Sequence, residues 1–321
     1  MDDEIFHLPD IDRVCIFHIP KNAGTSLVTA VRNCYPHNYV RAKRGFSSHE
    51  ALLEDLTDPD YGDKLGHIRN PASGLTGTEL VIGHLNYGIH RLLGGRTLYV
   101  AFLREPVSRL QSLYQNYRRS RPNRLTVDGK LLSFVDFYAH LSNQERVDVY
   151  NEQAKILTGR FLHDDPTCMV SSPPGLSDEA TSNVESSIFF TGLYERFDES
   201  IELLKALLGL PRLQVGHHNQ GGYSFDRTGL AMADRKMLLR LNVPDHLAYL
   251  AAKSRFDRLS EYVRSLADRD ALAERVGDWI RETEGTNPVP PMPIPASRPL
   301  DRAAAEVSGG TLDREHPTAE H

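Results

Sequence analysis

The sequence predicts an α/β fold, a parallel sheet flanked by helices, with a helical C-terminal part. Three observations carry that expectation. Short apolar runs rich in β-formers alternate with helix-periodic segments, the signature of βαβ units. The first run passes straight into a turn containing proline, lysine and glycine, and a helix pattern follows. The stretch from Asp245 to about Glu282 reads as largely helical.

In order along the chain, Arg13 to Ile19 reads as a buried first strand and Thr25 to Cys34 as the helix after it. Glu79 to Ile82 is a short second strand, ending at Gly83-His84. "TLYVAFL", Thr97 to Leu103, is a third. Pro106 stands where a first helical turn tolerates proline, and that helix is expected to run to Tyr117. Arg118 to Lys130 is polar and turn-rich, so a loop on the face of the sheet is expected. "SIFFTGL", Ser187 to Leu193, is a fourth strand, followed by the helix "FDESIELLKALLG". In the helical C-terminal part, Leu247, Leu250, Ala251 and Ser254 share one face. Residues 1–285 are read as a single domain, and 286–321, rich in proline, glycine and charge, as a disordered tail. No internal repeat is evident.

Composition narrows the class. With 321 residues, 40% hydrophobic and 25% charged, the chain suits a globular protein able to bury a core without disulfides or metal. Cys15, Cys34 and Cys168 are too scattered for a disulfide framework or a zinc site, so a reducing, cytoplasmic setting is expected. No run is long and apolar enough to span a bilayer, and the acidic start "MDDEIFHLPD" does not resemble a secretory signal. A net charge of −6 argues against general nucleic-acid binding while leaving room for local basic patches.

"HIPKNAGTSL" is the first stretch with chemical content. A loop between a strand and a helix presents unpaired N–H groups and the positive end of the helix dipole, which suits an anion. Lys21 adds a point charge, Gly24 room for close approach, and Thr25 and Ser26 hydroxyl donors. The ATP and GTP cradle, G-x-x-x-x-G-K-[ST], carries its lysine at the end of the loop, whereas Lys21 stands at the start. An ordinary strand–turn–helix with a solvated lysine fits the spacing equally well. The second stretch is "FLREPVSRLQSLYQNYR". Arg104 ends the third strand, where α/β folds place ligands, and Glu105, Ser108 and Ser112 follow on one helical face. Arg104 with Ser112 offers a guanidinium fork and a hydroxyl to a second anion; taken alone, a local ion pair and a packing serine explain them as well.

Together the two stretches resemble the signature motifs of sulfotransferases that use 3′-phosphoadenosine 5′-phosphosulfate (PAPS), most nearly the carbohydrate branch that includes the heparan sulfate 2-O-sulfotransferases. The resemblance implies the sulfotransferase fold, a P-loop-NTPase-like sheet. It also implies that Lys21, Asn22, Ala23, Gly24, Thr25 and Ser26 hold the 5′-phosphosulfate, that Arg104 and Ser112 hold the 3′-phosphate, and that 3′,5′-ADP is the product, with no metal required. "NEQAKILTG" (Asn151 to Gly159), "TGLYERFDESIELL" (Thr191 to Leu204) and "AYLAAKSRFDR" (Ala248 to Arg258) resemble segments of bacterial members. Golgi relatives carry an N-terminal anchor and often disulfides; neither is expected here, so a glycosaminoglycan substrate is not carried over.

Transfer to an alcohol needs a proton acceptor, and histidine titrates in the useful range. Of the fourteen histidines, His84, in "VIGHLNYGIH", ends the second strand on the expected ligand edge. It also matches the catalytic histidine of the resembling enzymes. His90 is the reserve base, and His18 is read as a packed or backbone-bonded histidine beside the loop. His217 and His218, in "GHHNQGGYSFDR", would point to opposite faces of a strand and lack a third ligand, so metal is not expected there. Between Arg104 and Arg124 stand six arginines and one glutamate. Arg118, Arg119, Arg121 and Arg124, with "RAKRG" (Arg41 to Gly45), either receive an acidic acceptor such as an anionic glycan or form a solvated basic surface.

The expected activity is therefore sulfuryl transfer to a hydroxyl of a carbohydrate, glycosylated or small-molecule acceptor, with Lys21 and His84 as the catalytic pair. One rival is a P-loop kinase or NTPase, which predicts ATP and magnesium. The other is a catalytically silent nucleotide-binding protein of the same fold.

Overall fold

The computed structural model describes residues 6–42, 77–91, 94–141, 146, 149–160, 171–216, 230–266 and 270–294. Four of the five strands of the main sheet come early. Strand β1 (Arg13–Phe17) is buried at every position and leads into helix α1 (Gly24–Cys34). Strands β2 (Tyr39–Ala42), β3 (Glu79–Gly83) and β4 (Thr97–Leu103) follow, and then helix α2 (Pro106–Ser120). A two-residue hairpin joins β5 (Thr126–Val127) to β6 (Lys130–Leu131), after which come α3 (Phe134–His140), α4 (Glu152–Thr158) and α5 (Leu176–Ser186). The last strand, β7 (Phe190–Leu193), precedes α6 (Phe197–Leu208), α7 (Met232–Leu241), α8 (Val243–Ser265) and α9 (Asp270–Glu282).

The main sheet has five strands in the order β2-β3-β1-β4-β7, and every pairing is parallel. The expected α/β architecture is present. Central strands such as "RVCIF" and "TLYVAFL" are apolar without alternation and buried throughout, as a sheet covered on both faces requires. β1 and β4 run side by side in register, Arg13 opposite Thr97 and Ile16 opposite Val100. From β1 the chain goes on to β2 on one side of the sheet; from β4 it goes on to β7 on the other. The loops after these two strands therefore diverge at a topological switch point, where open α/β sheets take their ligands.

Several expectations change. The segment read as a loop from Arg118 to Lys130 is the end of α2, a 3-10 turn and the hairpin, whose Asp128-Gly129 corner has φ of 49° and 73°. Those left-handed angles are what a two-residue hairpin turn demands. In α8 the face carrying Leu247 and Leu250 is 41% and 45% exposed, while Ala248, Ala252, Phe256 and Leu259 are buried. This buried face, with Ala248 and Ala252 one turn apart, is the one α8 turns toward α5 and β7. The proline-rich end is not disordered from Thr286. Asn287 Oδ1 accepts from the Thr97 amide at 3.0 Å, Val289 donates to the Thr97 carbonyl at 2.9 Å, and Val289 and Met292 are buried. Apolar residues spaced between prolines dock as extended chain, so no helical or strand period announces them. No helix among the described residues is long and apolar enough to cross a membrane.

Candidate functional site

The loop after β1 is strained. Lys21 and Ala23 both take left-handed backbone, φ 72° and 65°, conformations costly for non-glycine residues and concentrated at functional sites. Ala23 is the N-cap of α1, with no side chain capping the helix and no acidic residue in its first turn. The Ser26 and Leu27 amides turn back to the Ala23 carbonyl, at 3.1 and 3.3 Å. Ser26 therefore does not add its amide to an anion cradle as expected, and its side chain is buried while Thr25 is exposed. The N–H groups left at the helix start are those of Ala23, Gly24 and Thr25, backed by the dipole.

Gly24 is needed for a reason the sequence did not disclose. A Cβ there would lie 1.8 Å from His18 Cδ2, so the imidazole rather than a ligand occupies the space beside it. His18 continues the ladder beyond β1, donating its amide to the Gly83 carbonyl at 2.7 Å. Its ring stacks on that of His84, with centroids 4.6 Å apart and planes 16° apart. His84 thus stands beside the loop through His18, on the carboxyl edge of β3. His90 is held elsewhere. Its Nδ1 lies 2.9 Å from the Tyr99 hydroxyl, which also accepts from its amide, and burial lowers its pKa from 6.5 to about 4.

The two motifs meet across β1 and β4. Arg104 donates through Nη1 to the Lys21 carbonyl at 3.1 Å and through Nε to Ser108 Oγ at 2.9 Å, with its guanidinium over the Tyr194 ring. The hydroxyl bonded to Arg104 is that of Ser108, whereas Ser112 sits one turn further along α2, half-buried. α-Helical geometry keeps both on the same face. Glu105, grouped with them from the sequence, caps α2 by accepting from the Ser108 amide at 2.8 Å. The Lys21 ammonium is held below its ordinary pKa, first by burial and then by the charges of Arg119 and Arg104, against the pull of Glu152. Cations crowd this point.

Beneath the loop lies a polar core that sequence reasoning missed. Asn22, buried, donates through Nδ2 to the Phe102 carbonyl at 2.8 Å and to Gln153 Oε1 at 2.7 Å. The fully buried Arg109 bonds Glu152, lies 3.8 Å from an Asp245 oxygen and donates to the Val149 carbonyl at 2.6 Å. Desolvation outweighs the nearby guanidinium and raises the Glu152 pKa from 4.5 to about 7; Asp245 is pushed up for the same reason. The one available signal was the polar string "NEQ" ahead of an apolar run. Of the basic residues, Arg118, Arg119, Arg121 and Arg124 are exposed, and Arg124 reaches the Tyr117 hydroxyl at 3.3 Å. The side chains of Arg41 to Gly45, and His217 with His218, lie outside the described residues.

No protein-family model matches the chain, and no curated protein matches it. The chemistry of the site rests on its own residues.

Proposed function

We propose that this chain is a PAPS-dependent sulfotransferase acting on a hydroxyl of a carbohydrate, glycosylated or small-molecule acceptor. The observation that carries the reading is the bond from Arg104 Nη1 to the Lys21 carbonyl, 3.1 Å, which joins two anion-binding motifs at adjacent strand ends. A donor with phosphates at both the 5′ and 3′ positions needs two such groups within one nucleotide's reach. The charge balance supports the same reading: Arg119 and Arg104 each act unfavourably on the Lys21 ammonium, and a bound polyanion relieves that repulsion.

In this reading the Ala23, Gly24 and Thr25 amides and Lys21 receive the 5′-phosphate end, and Arg104 with Ser112 receives the 3′-phosphate. The donor supplies the sulfuryl group: a new bond forms from acceptor oxygen to sulfur, the bond from sulfur to the bridging phosphate oxygen breaks, and 3′,5′-ADP departs. Lys21 stabilises the charge that grows on the departing phosphate. His84 takes the acceptor proton, held in place by its stack on His18. The basic residues at the end of α2 and just beyond it, of which Arg119 acts on Lys21, form the side on which an acceptor enters in this reading.

Calorimetry with 3′,5′-ADP and 5′-AMP tests the reading. The expected result is tighter binding of 3′,5′-ADP in the parent chain and loss of that preference in Arg104→Ala. Equal affinity for the two nucleotides in the parent chain would remove the reading.

A further inference from the structure

The glutamine of "NEQ" makes four side-chain hydrogen bonds at the site. Gln153 is fully buried at the start of α4. Its Oε1 accepts from the Arg104 amide at 2.9 Å and from Asn22 Nδ2 at 2.7 Å. Its Nε2 donates to the Arg104 carbonyl at 3.0 Å and to Asp245 Oδ2 at 3.4 Å. Two acceptor sites and two donor hydrogens are all that a carboxamide has, and each is engaged.

We propose that Gln153 is a positioning residue that holds the two anion-binding motifs in register, closing on Arg104 from both sides of its peptide while tethering the loop through Asn22. The proposal builds on the sulfotransferase reading only in what the positioned groups bind.

Three features make the arrangement more than packing. First, Asn22 also bonds the Phe102 carbonyl, so loop, strand end and α4 form one closed circuit. Arg104 must present its guanidinium from a fixed backbone, and only Gln153 bonds both its N–H and C=O among the described residues. Second, Gln153 is itself fixed from below, because Asp245 Oδ1 accepts the Ala154 amide at 2.8 Å at the head of α8. Third, a neutral carboxamide supplies two donor hydrogens and two acceptor sites without adding charge beside Glu152, Asp245 and Arg109. A carboxylate could not donate to the Arg104 carbonyl and would repel Asp245.

The test compares Gln153→Met, close in size but unable to bond, with Gln153→Glu, and uses Asn183→Leu as a control. Asn183 is a buried amide bonded to the Leu157 carbonyl, away from both motifs. Hydrogen exchange is read first and needs no ligand. The Arg104 amide should exchange at least about tenfold faster in Gln153→Met, with Val100, in the preceding strand β4, unchanged. The preference for 3′,5′-ADP over 5′-AMP should fall by about tenfold in Gln153→Met, and by less in Gln153→Glu, which keeps the acceptor oxygens. Asn183→Leu should lower the melting temperature and leave both readouts alone. A folded Gln153→Met chain with unaltered Arg104 exchange overturns the proposal; so does Gln153→Glu behaving as the parent if the methionine variant does not fold. Faster exchange in a chain that binds neither nucleotide upholds the positioning role and removes the sulfotransferase reading.

Discussion

His18 and His84 lie ring over ring, 4.6 Å between centroids, and the edge of His18 fills the space that a side chain at position 24 would need. Strand end, loop and second strand end are thereby locked in one contact chain: Gly24 against His18, His18 against His84. A methyl group at Gly24 cannot enter without moving the imidazole, and the imidazole cannot move without freeing its partner.

Gly24→Ala is accordingly expected to destabilise the fold by about 1–3 kcal/mol, the usual cost of overpacking. The same substitution in a His18→Ala background should cost much less, because the atom it strikes is gone. Urea unfolding of the four proteins of this cycle measures the coupling. Additive costs would mean that the ring and the glycine do not share the space.

Arg109 supplies a second stability prediction. Its guanidinium is fully buried between Glu152 and Asp245. Removing it leaves two carboxylates uncompensated in low dielectric, so Arg109→Met should cost about 3–5 kcal/mol despite the similar volume. The triple variant Arg109→Met, Glu152→Gln, Asp245→Asn should recover part of that loss, read by the same unfolding experiment.

Much of the framework was legible in the sequence. The strands "RVCIF" and "TLYVAFL" and the helix opening at Pro106 stand where their patterns put them. The Asp128-Gly129 hairpin was missed: the dipeptide favours left-handed backbone, but the surrounding charge made the segment read as a loop. Arg109 was hidden differently. It is one of six arginines between positions 104 and 124, and burial singles it out only once α4 and α8 are packed around it. Gln153 bonds partners 49 and 131 residues away, separations at which local pattern carries no information. The loop's lysine and the strand-end arginine were visible as chemistry; what holds them together is tertiary.

Two groups should give opposite pH slopes. Glu152 has its pKa raised by burial from 4.5 to about 7, so between those values the folded state holds more protons than the unfolded chain. Stability therefore falls as pH rises through that window. For His90, lowered from 6.5 to about 4, the unfolded chain holds more protons in between, and stability rises with pH and is lost on acidification. Relative to the parent, Glu152→Gln should tilt the stability profile upward with pH and His90→Gln should tilt it downward. Unfolding free energies collected across the overlap of the two windows decide it; parallel profiles would mean that neither group is shifted.

His90 and His84 also separate on function. The His90 ring is engaged by the Tyr99 hydroxyl and stands edge-on to Tyr87 and Tyr99, and burial keeps it neutral well below physiological pH. A base so weak accepts a proton poorly from an alcohol. His84 is stacked on the histidine that abuts the loop, and in the sulfotransferase reading it takes that proton. Under the sulfotransferase reading, His84→Ala should keep nucleotide affinity within about threefold and lose transfer by about a hundredfold or more, the typical contribution of a general base. His90→Gln should keep both near the parent values. Transfer of label from radioactive PAPS to the parent's acceptor, followed alongside calorimetry with 3′,5′-ADP, reads the two effects separately. Near-normal transfer in His84→Ala, or loss of it in His90→Gln, would move the proton to another acceptor and leave the His18–His84 stack a structural pairing.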